Sequence, residues 1–203
     1  LSDSAAKDDE IVLVLDRTCF YAESGGQIGD TGIIKGANGV VRVVDTKKRN
    51  GKFLHKCVVE SGEISVGETV TAEIDYERRQ AIRRNQSAVH LLQAALRNIL
   101  GSHVAQAGSY VSEDRMRFDF SHFQAMTDEE IRKTEELVNQ KILEDIPIDC
   151  FEMPLDEAKK MGAVALFSEK YGAVVRVVKM GDYSTELCGG THAASAGKLG
   201  LFK

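Results

Sequence analysis

The chain has 203 residues and a formal charge of -5, with Lys plus Arg at 26 against Asp plus Glu at 31. Hydrophobic residues make up 43% and charged residues 28%, the balance of an ordinary folded protein, which excludes a disordered chain, a collagen-like repeat and a coiled-coil rod. No apolar run approaches the roughly 18 residues that span a bilayer, and Leu1 to Glu10 is polar and acidic, unlike a secretory signal. The length allows one large domain or two small ones.

Cys19, Cys57, Cys150 and Cys188 are scattered without a CxxC pair, which points to a reducing compartment and the cytoplasm rather than to a disulfide framework. The chain begins at Leu1, not Met, and ends on Leu201-Phe202-Lys203, so a piece of a longer protein is expected. At first sight the acid excess speaks against nucleic acid as a partner.

Residues 11–80 read as β structure. Ile11 to Leu15, Ile33-Ile34, Val40 to Val44, Phe53 to Val59 and Val70 to Ile74 are short apolar runs, many of them β-branched. Glycines separate them, and the spacing predicts a small barrel or sandwich. The texture changes near Asp75. Between Tyr76 and Leu100 there is no Gly or Pro, and Ile82, Val89, Leu92, Leu96 and Ile99 form a helical stripe closed by Gly101. Met116, Phe118 and Phe120 alternate with charged residues as in a half-buried strand. Thr127 to Glu130 is a capping box, opening a helix that Pro147 is expected to end. Pro154 to Met161 reads as a short helix, and Ala173 to Lys179 as a buried strand. The expected fold class is α+β: a small N-terminal β-barrel over residues 1–80, then an α+β module over 81–203.

The sharpest chemical signal is Cys188-Gly189-Gly190-Thr191-His192. A thiolate and an imidazole suit zinc, and the two glycines are expected to let the backbone turn so that both side chains converge. The long helix supplies His90, with Gln86 one turn earlier on the same face. An i,i+4 His pair would complete a two-plus-two site, but at Gln86 only an amide oxygen is available, a weak zinc donor. Taken alone, Cys188 with His192 reads more often as a buried Cys near a surface His, and His90 as a core histidine.

Gln106, Ser109 and the run Arg117 to His122 offer hydrogen bonds to a small polar substrate. Taken alone, turn chemistry at Gly108 and Ser109 and a solvated strand face at Arg117 and Asp119 are the better explanations. The loop Glu23 to Gly32 is Gly-rich but has neither a Walker lysine nor GxGxxG spacing, so it is not a nucleotide-phosphate cradle. Basic residues gather at Lys47–Lys56 and at Arg78–Arg97, while 128–145 holds seven acids and three bases. Basic clusters meet phosphates or form solvated faces. Asn85-Gln86-Ser87 matches a glycosylation sequon but falls in mid-helix, in a chain without a secretion signal.

Ser184-Thr185-Glu186-Leu187-Cys188-Gly189-Gly190-Thr191-His192 resembles the signature of the alanyl-tRNA synthetase editing domain. Asn85 to Leu92 resembles the family's HTATHLL-type helix motif. Phe20 to Gln27 is similar to its Gly-rich loop. Ile99 to Ser109, Arg117 to His122 and Ala165 to Gly172 also match, in collinear order over nearly the whole chain.

The resemblance implies a translation-factor-like barrel followed by an editing module shared with threonyl-tRNA synthetases. The implied activity is hydrolysis of Ser-tRNA(Ala) and Gly-tRNA(Ala). The implied zinc set falls on positions 86 and 90 with Cys188 and His192, and Gln106 matches a family editing-site residue. The departures are Gln86 for His, Val89 for Thr, Ser168 for Gly, and Ala173 for an acidic residue. With Gln86 in that position, the expected centre is His90, Cys188 and His192 with water or Gln86 fourth.

Serine is larger than alanine, so size cannot reject alanine. A site that hydrogen-bonds the serine hydroxyl can, and Gln106, Ser109 and Thr191 are the candidates for that contact. The expected partners are the 3′ acceptor end of tRNA(Ala) and other domains of a synthetase, with no membrane. Two alternatives stay open: a free-standing trans-editing deacylase, and a non-catalytic tRNA-binding module with a degenerate metal site.

Overall fold

A computed structural model describes residues 3–164 and 171–203. The chain divides into two compact units, Leu1–Gln80 and Ala81–Lys203.

The first unit is an antiparallel sheet of β1 (Ser4–Ala6), β2 (Glu10–Leu13), β3 (Gly32–Lys35), β4 (Gly39–Arg49), β5 (Lys52–Ser65) and β6 (Thr71–Ile74). The order is β1-β5-β4-β3-β6, and β2 also pairs with β5. The long β4–β5 hairpin turns at Asn50 and Gly51, both with positive φ, as a tight Asn-Gly turn requires. Its tip carries the Lys47–Lys56 cluster, where Lys47 pairs with Glu23 and Lys48 lies over the Phe53 ring.

Alternating residues Ile34, Val41, Val43, Cys57 and Val59 meet Phe20 in one core. Among the described residues no strand pair joins β6 back to β2 or β1, so the sheet is open and the expected barrel closure is not there. Both of these strands are only three or four residues long. The segment after β2 stays irregular and puts Phe20 into the core, and the Cys19 thiol donates to the Ala72 carbonyl of β6 at 3.4 Å.

The Gly-rich loop is held by buried Asp30. Its carboxylate accepts the Tyr21 N–H at 2.6 Å and the Arg79 guanidinium, with Nε at 2.8 Å and Nη2 also in contact. A Cβ on Gly29 would lie 2.2 Å from the Thr46 carbonyl oxygen, so only glycine fits there.

The second unit contains α1 (Tyr76–Leu100) from Ala81 onward. Then follow β7 (Ala105–Val111), β8 (Met116–Ser121), α2 (Asp128–Leu143), β9 (Ile148–Pro154), α3 (Leu155–Lys160), β10 (Val174–Met180) and β11 (Ser184–Leu187), with a last 3-10 turn at Ala196–Leu199. The capping box at Thr127 is present. α2 ends at Leu143 rather than at Pro147, because Asp145 turns left-handed at φ 46 and its N–H returns to the Ile142 carbonyl.

β9, β10 and β11 form one antiparallel sheet in the order β11-β10-β9. One face, through Val178 and Met180, packs on Leu91, Ala95, Val138 and Ile142 of α1 and α2. The other, through Val175, Val177 and Leu187, packs on Ala158 of α3. β7 and β8 pair separately, with a bulge between Gln106 and Gly108. Ala165 to Lys170, most of one matching motif, lies outside the described residues.

Candidate metal centre

On α1, Gln86, Ser87 and His90 are all buried. Strand alternation puts Glu186 and the following Cys188 on the sheet face toward α1, while Leu187 points into the opposite core. The loop after β11 then returns His192 to the same place. The donor atoms of His90, Cys188 and His192 all lie within 4.8 Å of one another.

The two imidazole rings stand edge to face, 4.8 Å between centroids. His192 Nε2 is 3.4 Å from Cys188 Sγ. Ligands at ordinary zinc bond lengths on a tetrahedron sit about 3.5 Å apart, so these side chains need little movement to close on an ion.

Loop shape comes from Arg176 rather than from glycine conformation. Arg176 Nη1 donates to the Cys188 carbonyl at 2.9 Å and to the Gly190 carbonyl at 2.6 Å. Neither Gly189 nor Gly190 has a positive φ, and a Cβ on Gly189 would meet nothing within 4 Å.

Both histidines are tied at Nδ1. His192 Nδ1 lies 3.1 Å from Ser87 Oγ, which also accepts the Ala193 N–H at 3.0 Å. His90 Nδ1 lies 2.8 Å from Glu186 Oε2, close enough for an ion pair though off the line of a good hydrogen bond.

Burial works against an imidazolium at His90, but the Glu186 carboxylate and the Cys188 sulfur outweigh it and raise its pKa well above the ordinary value. Burial likewise raises the Cys188 thiol. The hydrogen bond and charge of His90, with the Gly190 N–H and the Gln86 amide, outweigh that and lower its pKa overall. Burial, then the charge of His90, pushes His192 far down, so it stays a neutral imidazole. A thiolate with neutral or displaceable imidazole nitrogens is a zinc donor set.

Gln86 stands at the expected place but turned the other way. Its Nε2 donates to Cys188 Sγ at 3.4 Å, and its Oε1 is buried without a hydrogen-bond partner. To ligate through oxygen, the amide must rotate.

Gln106 and Ser109 sit on β7, opposite Phe120 and Phe118 of β8. Gln106 Oε1 is buried and unpartnered, and among the described residues no hydrogen bond joins Gln106 to the cluster. Thr191 is in the loop between Gly190 and His192. Sequence reasoning assigned no role to Glu186, Ser87 or Arg176. The two-residue step from Glu186 to Cys188 and the three-residue step from Ser87 to His90 were the available signals; Arg176 had none.

Two family models match the chain. One, for class II (A) tRNA synthetases, covers residues 1–78; the other, for the second additional domain of threonyl and alanyl tRNA synthetases, covers 175–203 and so includes Glu186, Cys188 and His192. These define a segment of the class II aminoacyl-tRNA synthetases.

Over its whole length the chain is similar to alanine–tRNA ligases, and it belongs to the alanyl-tRNA synthetase family. The ligase of Acetivibrio thermocellus is 58% identical over 202 residues, 99% of this chain and 23% of the ligase. The ligase of Bacillus velezensis is 51% identical and that of Bacillus subtilis 50%, each over 204 residues. The chain therefore spans about a quarter of the length of these curated relatives. Among the described residues no helix is long and apolar enough to cross a membrane.

Proposed function

We propose that this chain is the editing portion of an alanyl-tRNA synthetase and hydrolyses the aminoacyl ester of mischarged Ser-tRNA(Ala) and Gly-tRNA(Ala). The observation that carries the reading is the convergence of His90, Cys188 and His192 within 4.8 Å, in a unit whose end matches the threonyl/alanyl additional domain.

Those three residues would hold zinc, with Gln86 beside them as a hydrogen-bond donor to the sulfur or, once rotated, as a fourth ligand. When bound, zinc supplies Lewis-acid chemistry at the ester. Arg176 holds the loop that carries Cys188 and His192, and Ser87 holds the His192 ring. Gln106, Ser109 and Thr191 contact the amino acid. The unpartnered Gln106 oxygen suits a serine hydroxyl, and alanine would leave it unpaired at a cost of about 1–3 kcal/mol.

Residues 81–203 are assigned as an editing module of the threonyl-tRNA synthetase type, and residues 1–80 as a separate β module. The partners are the 3′ acceptor end of tRNA(Ala) and other domains of the synthetase, in the cytoplasm. The -5 charge does not oppose this, since charge is uneven along the sequence: residues 128–145 hold seven acids against three bases, whereas Lys47–Lys56 and Arg78–Arg97 are basic.

Single-turnover deacylation of Ser-tRNA(Ala) with excess protein tests the reading. Serine release by the wild-type chain, lost in Cys188→Ala and absent with Ala-tRNA(Ala), supports it. Equal release by wild type and Cys188→Ala overturns it in favour of a tRNA-binding module.

A further inference from the structure

We infer that Glu186 is the positioning residue for His90: its carboxylate holds Nδ1 and so commits Nε2 to the ion. The inference rests on the zinc reading above. It concerns a residue that touches neither ion nor substrate.

Four observations carry it. First, Glu186 and His90 are 3% and 2% exposed at their side chains, and 2.8 Å separates Oε2 from Nδ1. A carboxylate is not left at that depth without a polar partner, and the His90 ring nitrogen is the group that faces Oε2. Second, the other oxygen is already used: Ser184 Oγ donates to Glu186 Oε1 at 2.8 Å, which fixes the rotation of the carboxylate.

Third, the backbone beneath it is held on both sides. Glu186 pairs with Val178 of β10. On the opposite edge Val164 bridges it, receiving the Leu187 N–H at 3.0 Å and donating to the Thr185 carbonyl at 2.9 Å. With the backbone paired on both edges and Oε1 held by Ser184 Oγ, the carboxylate keeps Oε2 beside the His90 ring.

Fourth, His192 is oriented alike by a different group: its Nδ1 meets the Ser87 hydroxyl and its Nε2 faces Cys188. Each imidazole thus has a polar side chain at Nδ1 and turns Nε2 toward the sulfur. A carboxylate tied to the outer nitrogen also raises the basicity of the inner one. Loss of such a partner typically weakens metal binding about 10–100-fold.

The test is zinc affinity, measured by competition with a chromophoric chelator, for wild type, Glu186→Gln and the exposed control Glu60→Gln. The expected result is 10–100-fold weaker zinc in Glu186→Gln, on the scale above, with wild-type affinity in the control and unchanged far-UV circular dichroism in both. Affinity in Glu186→Gln within about twofold of wild type overturns the inference.

Nitrogen-15 NMR of histidine-labelled protein separates this from failure of the zinc reading. With or without metal, His90 Nδ1 carries a proton in wild type. An Nδ1 without a proton overturns the inference even where zinc binds. A protein that takes up no zinc yet keeps Nδ1 protonated overturns the zinc reading and leaves the carboxylate's hold on the ring intact.

Discussion

His55 in the first unit and His90 with His192 in the second are all buried histidines, and they have opposite surroundings. At His55, Nδ1 meets the Leu13 carbonyl at 3.0 Å and Nε2 meets Thr18 Oγ1 at 2.8 Å. The ring stands edge to face on Phe20, and both nitrogens are spent on fixed neutral partners. At His192 the outer nitrogen meets Ser87, at His90 it lies beside the Glu186 carboxylate, and both rings reach the Cys188 sulfur, a donor atom an ion can take over. Burial alone does not make a ligand histidine. What marks one is a nitrogen left facing another soft or basic donor.

That contrast orders the expected effects. The largest belongs to the cluster: Cys188→Ala or His192→Ala removes a ligand and abolishes measurable zinc uptake, read by chelator competition. Zinc affinity that survives either change would erase the difference between the two kinds of histidine.

Next comes the first unit's own polar centre. Asp30→Ala strands the Arg79 guanidinium in a buried position and costs about 3–5 kcal/mol of stability. Denaturant melting should show the loss, while zinc affinity stays unchanged. A change in zinc without a change in melting would mean that the Gly-rich loop serves the metal rather than its own sheet.

His55→Ala comes third. It leaves the Leu13 carbonyl and the Thr18 hydroxyl unmatched, costs about 1–3 kcal/mol, and spares zinc.

The smallest effect is a pH dependence. Burial lowers the His55 pKa below the ordinary 6.5, against the opposing pull of the Leu13 carbonyl. Below 6.5 the unfolded chain takes up a proton that the folded chain refuses. Stability therefore falls as pH drops below that value, and the fall levels off beneath the folded pKa. His55→Gln should lose this part of the slope, so the stability gap between wild type and variant narrows between pH 7 and pH 5. A gap independent of pH would show that His55 titrates alike in both states.

The parts of this fold that were legible are those decided locally. The capping box at Thr127, the Gly-free run that becomes α1 and the Val-rich β10 each follow from neighbours in sequence. Barrel closure was not legible, because it depends on which strand edges meet, and no periodicity encodes that. β7 carries no strand signal of its own, because Ala105 to Ser109 lacks β-branched residues, and pairing with β8 makes it a strand.

Pro147 is the stop signal that the sequence shows for α2, yet a left-handed Asp145 stops the helix first. At the site, Cys188, His192 and His90 stand out by residue type, and the resemblance of the chain as a whole to the synthetase family was borne out. Glu186 and Arg176 did not stand out, since an acid on a strand and an Arg among valines look like solvated positions until the sheet face is known.

The central claim is that the His90–Cys188–His192 cluster is a metal centre and that the His55 pocket is not. Elemental analysis of the protein purified after zinc supplementation tests it most directly, on wild type, Cys188→Ala and His55→Gln together. The account predicts one zinc per chain in wild type and in His55→Gln, and none in Cys188→Ala. Trace metal in wild type, or equal zinc in Cys188→Ala, would contradict it.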